Sequence, residues 1–264
     1  MKMDAYGAVG RASAALAAGL AGVRERTADA GRVARTVVLN PSILEPVVVE
    51  FVKGEQRADG GWVDCEDSVW CAALLALADA KSDEATAAVN WIANERSPLG
   101  GWGRNPREPA RVPTTAIALR FLGDQLADAQ DWTGLECTWA RDLASDVQLA
   151  YKAGFFLSCQ AAFEVPTQLS VRTAEYLSQQ QNEDGGFGPW CGHPLGSDPW
   201  STGVCLAGLS RFAELADRDV VERAVNWLVG TQLGSGYWRC HFIDEGTSYA
   251  CWGLSEAVKL METP

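Results

Sequence analysis

The chain repeats one turn four times, and a repeat of this kind decides the fold before any single residue does. The copies read Gln56-Arg57-Ala58-Asp59-Gly60-Gly61-Trp62, Leu99-Gly100-Gly101-Trp102, Gln181-Asn182-Glu183-Asp184-Gly185-Gly186-Phe187-Gly188 and Gln232-Leu233-Gly234-Ser235-Gly236-Tyr237-Trp238. After each turn comes a short loop, then Ser or Thr at the head of an apolar run. These heads are Asp67-Ser68, Thr114-Thr115, Ser201-Thr202 and Thr247-Ser248. Paired glycines reach the positive φ angles that end one helix and reverse the chain. A Ser, Thr or Asp ahead of an apolar run accepts hydrogen bonds from the orphan amides of the next helix.

The apolar runs predict helices starting near Ser68, Thr115, Ser201 and Ser248. In Thr115-Ala116-Ile117-Ala118-Leu119-Arg120-Phe121-Leu122 nearly every side is apolar or small, the pattern of a helix buried all round. Segments ahead of the turns, such as Glu222-Arg223-Ala224-Val225-Asn226-Trp227-Leu228, keep a polar face and suit an outer layer. Counting inner starts near 4, 67, 114, 146, 200 and 247 gives six. The expectation is therefore an all-α chain, one (α/α)6 toroid over residues 1–264, with no Pro/Ser-rich linker. No window alternates with the period of two that a strand requires.

Composition narrows the partners. Hydrophobic residues form 47% of the 264, enough for a large core, and the net charge is −12. That sign repels a phosphate surface, so neither nucleic acid nor anionic membrane is an expected partner. No apolar run approaches the ~20 residues of a membrane span. Met1-Lys2-Met3-Asp4-Ala5 makes a poor secretory signal, and the Ala-rich stretch 12–21 reads as an amphipathic helix. Of eight cysteines, Cys71, Cys205 and Cys251 lie inside apolar runs, where Cys acts as a small hydrophobe. The expected compartment is a reducing cytoplasm.

The four turns resemble the QW repeats of squalene and terpenoid cyclases, and equally those of protein prenyltransferase β subunits. The resemblance covers roughly residues 43–262 and implies the α/α toroid. Two functional motifs of that superfamily then compete. Asp64-Cys65-Glu66-Asp67-Ser68 is similar to the DxDD motif of class II cyclases, which protonates a double bond or epoxide. The resemblance implies catalytic roles for Asp64, Glu66 and Asp67, with Glu66 in place of the central Asp. Such chemistry needs a carboxyl kept protonated by burial beside other carboxyls. It also needs aromatic faces for the carbocation, and Trp62, Trp70, Trp102, Trp190, Trp200 and Trp238 stand near the helix mouths. The bland alternative makes Asp67-Ser68 an N-cap pair and Asp64 and Glu66 solvated loop acids.

The same segment also resembles the zinc segment of protein prenyltransferases. Asp64 matches there, but Glu66 stands where a Cys ligand belongs and Ser201 where a His belongs, which argues against that activity. A separate metal idea comes from spacing. The two histidines each lie beside a cysteine, in Cys191-Gly192-His193 and Cys240-His241, and together would make a tetrahedral zinc set; the alternative is ordinary loop residues. No other cofactor is expected.

The function implied is a protonation-initiated cyclase, of isomerase or lyase type, acting on a linear isoprenoid. The rival is a non-catalytic toroid that binds a protein or lipid, and a homo-oligomer stays open. Arg104, Arg107 and Arg111 form a basic cluster near a loop, either for a diphosphate or as solubilising charge.

Overall fold

The computed structural model describes residues 2–23, 29–105, 108–126, 129–145, 148–160, 166–212, 215 and 217–262. Among them are twelve α-helices and no strand. They are α1 Lys2–Leu20, α2 Ala30–Leu39, α3 Pro46–Gly54, α4 Cys65–Asp79, α5 Asp83–Asn94, α6 Val112–Leu126, α7 Ala129–Leu143, α8 Ala150–Gln160, α9 Gln168–Gln180, α10 Pro199–Leu209, α11 Arg218–Thr231 and α12 Ile243–Glu262. None is long and apolar enough to cross a membrane.

Two compact units divide the chain: residues 19–141, and residues 1–18 with 142–264. In the first, α2 packs on α4 and α4 on α6, while α3 and α5 cover them. In the second, α8, α10 and α12 lie side by side, with α9 and α11 packed on them. Even-numbered helices are buried nearly all round and odd-numbered ones on one face, the alternation that the apolar periodicity requires. The helices carrying Ser68, Thr115, Ser201 and Ser248 are of the buried kind, as expected, and all four residues are inaccessible.

One expected inner helix proves to be an outer one. Among its described side chains α1, near residue 4, buries Ala5, Ala8, Ala12 and Leu16, a single stripe. Alanine gives little contrast between buried and exposed faces, so an amphipathic reading of this stretch does not by itself choose between the layers. The first buried helix along the chain is α2, opened by Asp29, whose side chain accepts from Arg32 N. The expected start near 146 lies outside the described residues, and α8 begins at Ala150.

The buried helices also start earlier than the Ser and Thr heads, at Cys65, Val112, Pro199 and Ile243. Asp64 and Asp198 are the N-caps of α4 and α10, each accepting from the third amide beyond it, at 2.9 and 2.8 Å. The hydroxyls reach backwards instead. Ser68, Thr115, Thr202 and Thr247 each accept the amide of the aromatic residue that ends the preceding turn: Trp62, Trp102, Phe187 and Trp238, at 2.9–3.1 Å.

Candidate functional site

Each glycine turn is a small hydrogen-bonded box. In the first, Arg57 N donates to Gly61 O and Gly60 N to Arg57 O, both at 2.9 Å. Gly60 holds φ +95°, where a side chain is strained, and an added Cβ would stand 2.7 Å from Ala87 O. The preceding glutamine locks the box outward. Gln56 Nε2 donates to Gly60 O and to Glu84 O on α5, at 2.9 and 3.0 Å. Gln181 does the same toward Gly185 O and Val220 O, both at 2.8 Å, and Gln232 toward Gly236 O and Ala8 O, both at 2.9 Å. In the second copy Arg96 takes the place. It pairs at 2.9 Å with Asp131, which is inaccessible and also accepts Gly101 N.

Three of the candidate substrate-facing tryptophans belong to these boxes. Trp62, Trp102 and Trp238 are no more than 2% exposed. Each donates its indole N–H to the carbonyl ten residues earlier, Val52, Ile92 and Leu228, at 2.8–3.1 Å. Such a wedge ties the turn to the helix before it, and the N–H is satisfied as a buried indole requires.

The acids gather at the start of α4. Asp64 Oδ1 accepts Asp67 N, and Oδ2 accepts Arg104 Nε at 3.2 Å. Asp64 is thus cap and ion-pair partner together, and the cap sits three residues before the place expected from Asp67-Ser68. Burial pushes the Glu66 carboxyl up, against the pull of Arg35, Arg104 and Arg111. Asp67 rises to about 7, through burial first and then the charges of Asp64, Asp29 and Glu66. Its carboxylate lies so close to α2 that a Cβ at Gly31 would collide with it. Asp67 also borders a cavity of about 450 Å³ with Asp29, Glu55, Arg57 and Trp62. Four residues on from Glu66, one helical turn away on the same face, stands Trp70. It is 1% exposed, its Nε1 lacks a partner, and its ring lies 5.6 Å from that of Phe121. Sequence reasoning missed Arg35 and Asp29; the signal for Arg35 was a charge, with Arg32, within the mostly apolar α2. Arg107 lies outside the described residues.

The remaining two tryptophans are in the other unit. Trp200, at the head of α10, meets Tyr151 at 4.8 Å, Tyr249 at 5.5 Å and Phe155 at 6.2 Å, all edge-on. These partners come from α8 and α12 and had no motif to announce them. Trp190 is 40% exposed and sits against His193, with ring centres 4.3 Å apart.

The zinc set does not form. Among the described residues no group of three His, Cys, Asp or Glu is arranged to hold a metal ion. His193, Cys240 and His241 border one cavity, but Cys191 is exposed and not part of its wall. His193 Nδ1 is occupied by the Leu195 amide at 3.2 Å. Burial, and then the charge of Asp198, push the Cys240 thiol up, away from the thiolate that zinc takes. Neighbours in sequence were taken for neighbours round a centre.

No family model matches the chain, and no curated protein does. Solved structures do. A protein from Actinoplanes superposes with a TM-score of 0.73 at 14% identity, over 96% of this chain and 99% of that one. The type II terpene cyclase MstE from Scytonema gives 0.73 at 15% identity, over 98% and 99%. An MstE variant in complex with merosterolic acid A, its product, gives 0.73 at 16% identity, over 98% of both chains. At such identities the likeness speaks of architecture alone, and the architecture is that of the α/α toroid.

Proposed function

We propose that the chain has the activity of a class II terpenoid cyclase, acting on a linear prenyl substrate by protonation. The observation that carries this reading is the set of three carboxyls at the head of α4, with Asp67 held at about 7 by burial and by its neighbours. Burial raises both Glu66 and Asp67, and that direction favours a retained proton at this helix head. Asp64 stays fixed as cap and partner of Arg104. Glu66, on the Trp70 side of the helix, delivers the proton. Its O–H bond breaks, a C–H bond forms at the terminal alkene (or an O–H bond at an epoxide), and a carbocation results. The faces of Trp70 and Phe121 stabilise that charge while neighbouring π bonds close rings, and loss of a proton ends the reaction. The likeness to MstE supports the reading, since variants of that enzyme hold geranylgeranyl dihydroxybenzoate as substrate and merosterolic acid A as product.

One fact favours a second reading, a toroid that binds a lipid or protein without chemistry: Asp64 already has complete structural employment. Incubation with a panel of linear prenyl substrates, followed by mass spectrometry, separates the two. Glu66→Gln keeps size but has no acidic proton, so it should fold and yield no cyclised product. A variant that cyclises at the wild-type rate refutes the acid assignment. If the wild-type protein turns over no prenyl substrate, the binding reading stands.

A further inference from the structure

Large apolar side chains stand exposed around one place in the unit of α8, α10 and α12. Leu195 is 86% exposed, Ile243 47%, Phe242 45% and Trp190 40%. Leu195 and Phe242 border the same mainly apolar cavity, of about 400 Å³, together with His193 and His241. Trp190 stands edge-on to His193 and Phe242 edge-on to His241, with ring centres 4.3 and 4.5 Å apart. Two loops, 189–197 and 239–243, thus form one apolar rim. Its backbone is satisfied from within. Cys191 N donates to Gln180 Oε1 and Gly192 N to Asn182 Oδ1, both at 3.0 Å. His193 N donates to Trp190 O, Leu195 N to His193 Nδ1 and Gly196 N to His193 O, at 2.7–3.2 Å. Pro194 has no amide to place. The amides of His241 and Phe242 turn onto the Cys240 sulfur.

Exposed apolar groups of this size mark a docking surface, and two observations choose its occupant. A protein partner is met by directional hydrogen bonds from the surface it covers. Here the amides from 191 to 196 are already spent, the condition for entering lipid, where an unmet amide is costly. Charge is the second. Neither loop contains Asp or Glu, although the chain has 34, and Arg239 is their one full charge with His neutral. The acids next to the loops are turned to internal use. Asp198 accepts Ser201 N through one oxygen and the Ser201 hydroxyl through the other, and Asp244 and Glu245 are engaged within the chain. Lipid phosphate therefore meets no facing acid in the rim. A second copy on the same face would bring two chains of net charge −12 together, with no acid in either loop to meet Arg239. We propose that this rim docks on the surface of a zwitterionic phospholipid bilayer. Leu195 and Phe242 enter the boundary between headgroups and acyl chains, and Trp190 lies at headgroup level. The proposal is independent of the cyclase reading.

Co-sedimentation of the full chain with phosphatidylcholine vesicles tests it. Wild-type protein should pellet with them, and mixing phosphatidylglycerol into the vesicles should weaken binding, because the chain carries −12. Leu195→Asp and Phe242→Asp should each weaken binding about tenfold. Leu77→Asp is the control: that leucine, in α4, is 44% exposed, as Phe242 is, and its loss should leave binding unchanged. Phosphatidylcholine brominated on its acyl chains should quench wild-type fluorescence, and Trp190→Phe should lose most of that quenching. Circular dichroism identifies any variant that fails to fold, and the quenching of wild type stands without one. A wild-type protein that stays in the supernatant would overturn the proposal. So would wild-type affinity in both Leu195→Asp and Phe242→Asp, or an equal loss in Leu77→Asp. A wild-type dimer that both rim variants convert to monomer, with no vesicle binding, would assign the rim to a second copy of the chain instead.

Discussion

Asp67→Asn isolates the energetic consequence of crowding three carboxyls at one helix start. In the folded protein burial and the neighbouring acids push this carboxyl up to about 7, far above the ordinary carboxylate range. The folded state therefore binds the proton more tightly than the unfolded chain does. Below about pH 4 both states hold it and the group contributes nothing to the pH dependence. Between about pH 4 and 7 the unfolded chain releases its proton first, and the folded state loses ground; above about 7 the penalty is complete. Holding the proton up to about pH 7 instead of about pH 4 corresponds to ~4 kcal/mol. The side chain is only partly buried, so solvent screening brings the figure to about 2 kcal/mol. Asparagine has the same shape and cannot ionise. The variant should match wild type at low pH and become more stable by about 2 kcal/mol above pH 7, a gain of roughly 3–4 °C for a chain this size. Urea denaturation of both proteins at a series of pH values measures the gap. A gap that stays constant with pH, or that favours wild type in alkaline buffer, refutes the reasoning. The same variant should cyclise slowly, because stability and chemistry draw on the same retained proton.

Other outcomes follow from the boxes. Gln181→Leu leaves the carbonyls of Gly185 and Val220 without their donor, and should cost about 2–4 kcal/mol in urea unfolding. Gly60→Ala, forced to φ +95° and against Ala87 O, should cost about 1–3 kcal/mol. Asp198→Ala removes the cap of α10 and should cost about 1 kcal/mol. Metal analysis of purified protein should find zinc well below one ion per chain, and a chelator should leave the melting temperature unchanged.

The repeat was legible because glycine and aromatic residues at a turn have few substitutes. Gly60, Gly100, Gly185 and Gly236 all hold positive φ at matching places, and their spacing alone announces the helices around them. The buried helices that follow a glycine turn were legible for the same reason. α2 was not, since no glycine turn precedes it and Arg32 and Arg35 interrupt its apolar pattern. The Ser and Thr heads were placed correctly on buried helices but given the wrong partners. Capping is the common use of a hydroxyl there, and the choice between a forward and a backward amide depends on a turn folded six to fifteen residues earlier. At the site the sequence displayed the acids, because they are contiguous. It could not display Tyr151, Phe155 and Tyr249 round Trp200, which meet only once three helices are packed.

The last glutamine lock carries a consequence for synthesis. Gln232 donates to Ala8 O and receives Arg11, and the Tyr237 hydroxyl donates to Ala15 O. The stretch 19–141 is continuous, and its helices can dock on one another as they leave the ribosome. α1 is made before them, yet its partners arrive more than two hundred residues later. Throughout that interval its alanine stripe has nothing to cover it. Contacts of such separation are slow to form, so the unit that α1 belongs to is completed only after α11 and α12 have been made, and a chaperone has a long opportunity at this helix.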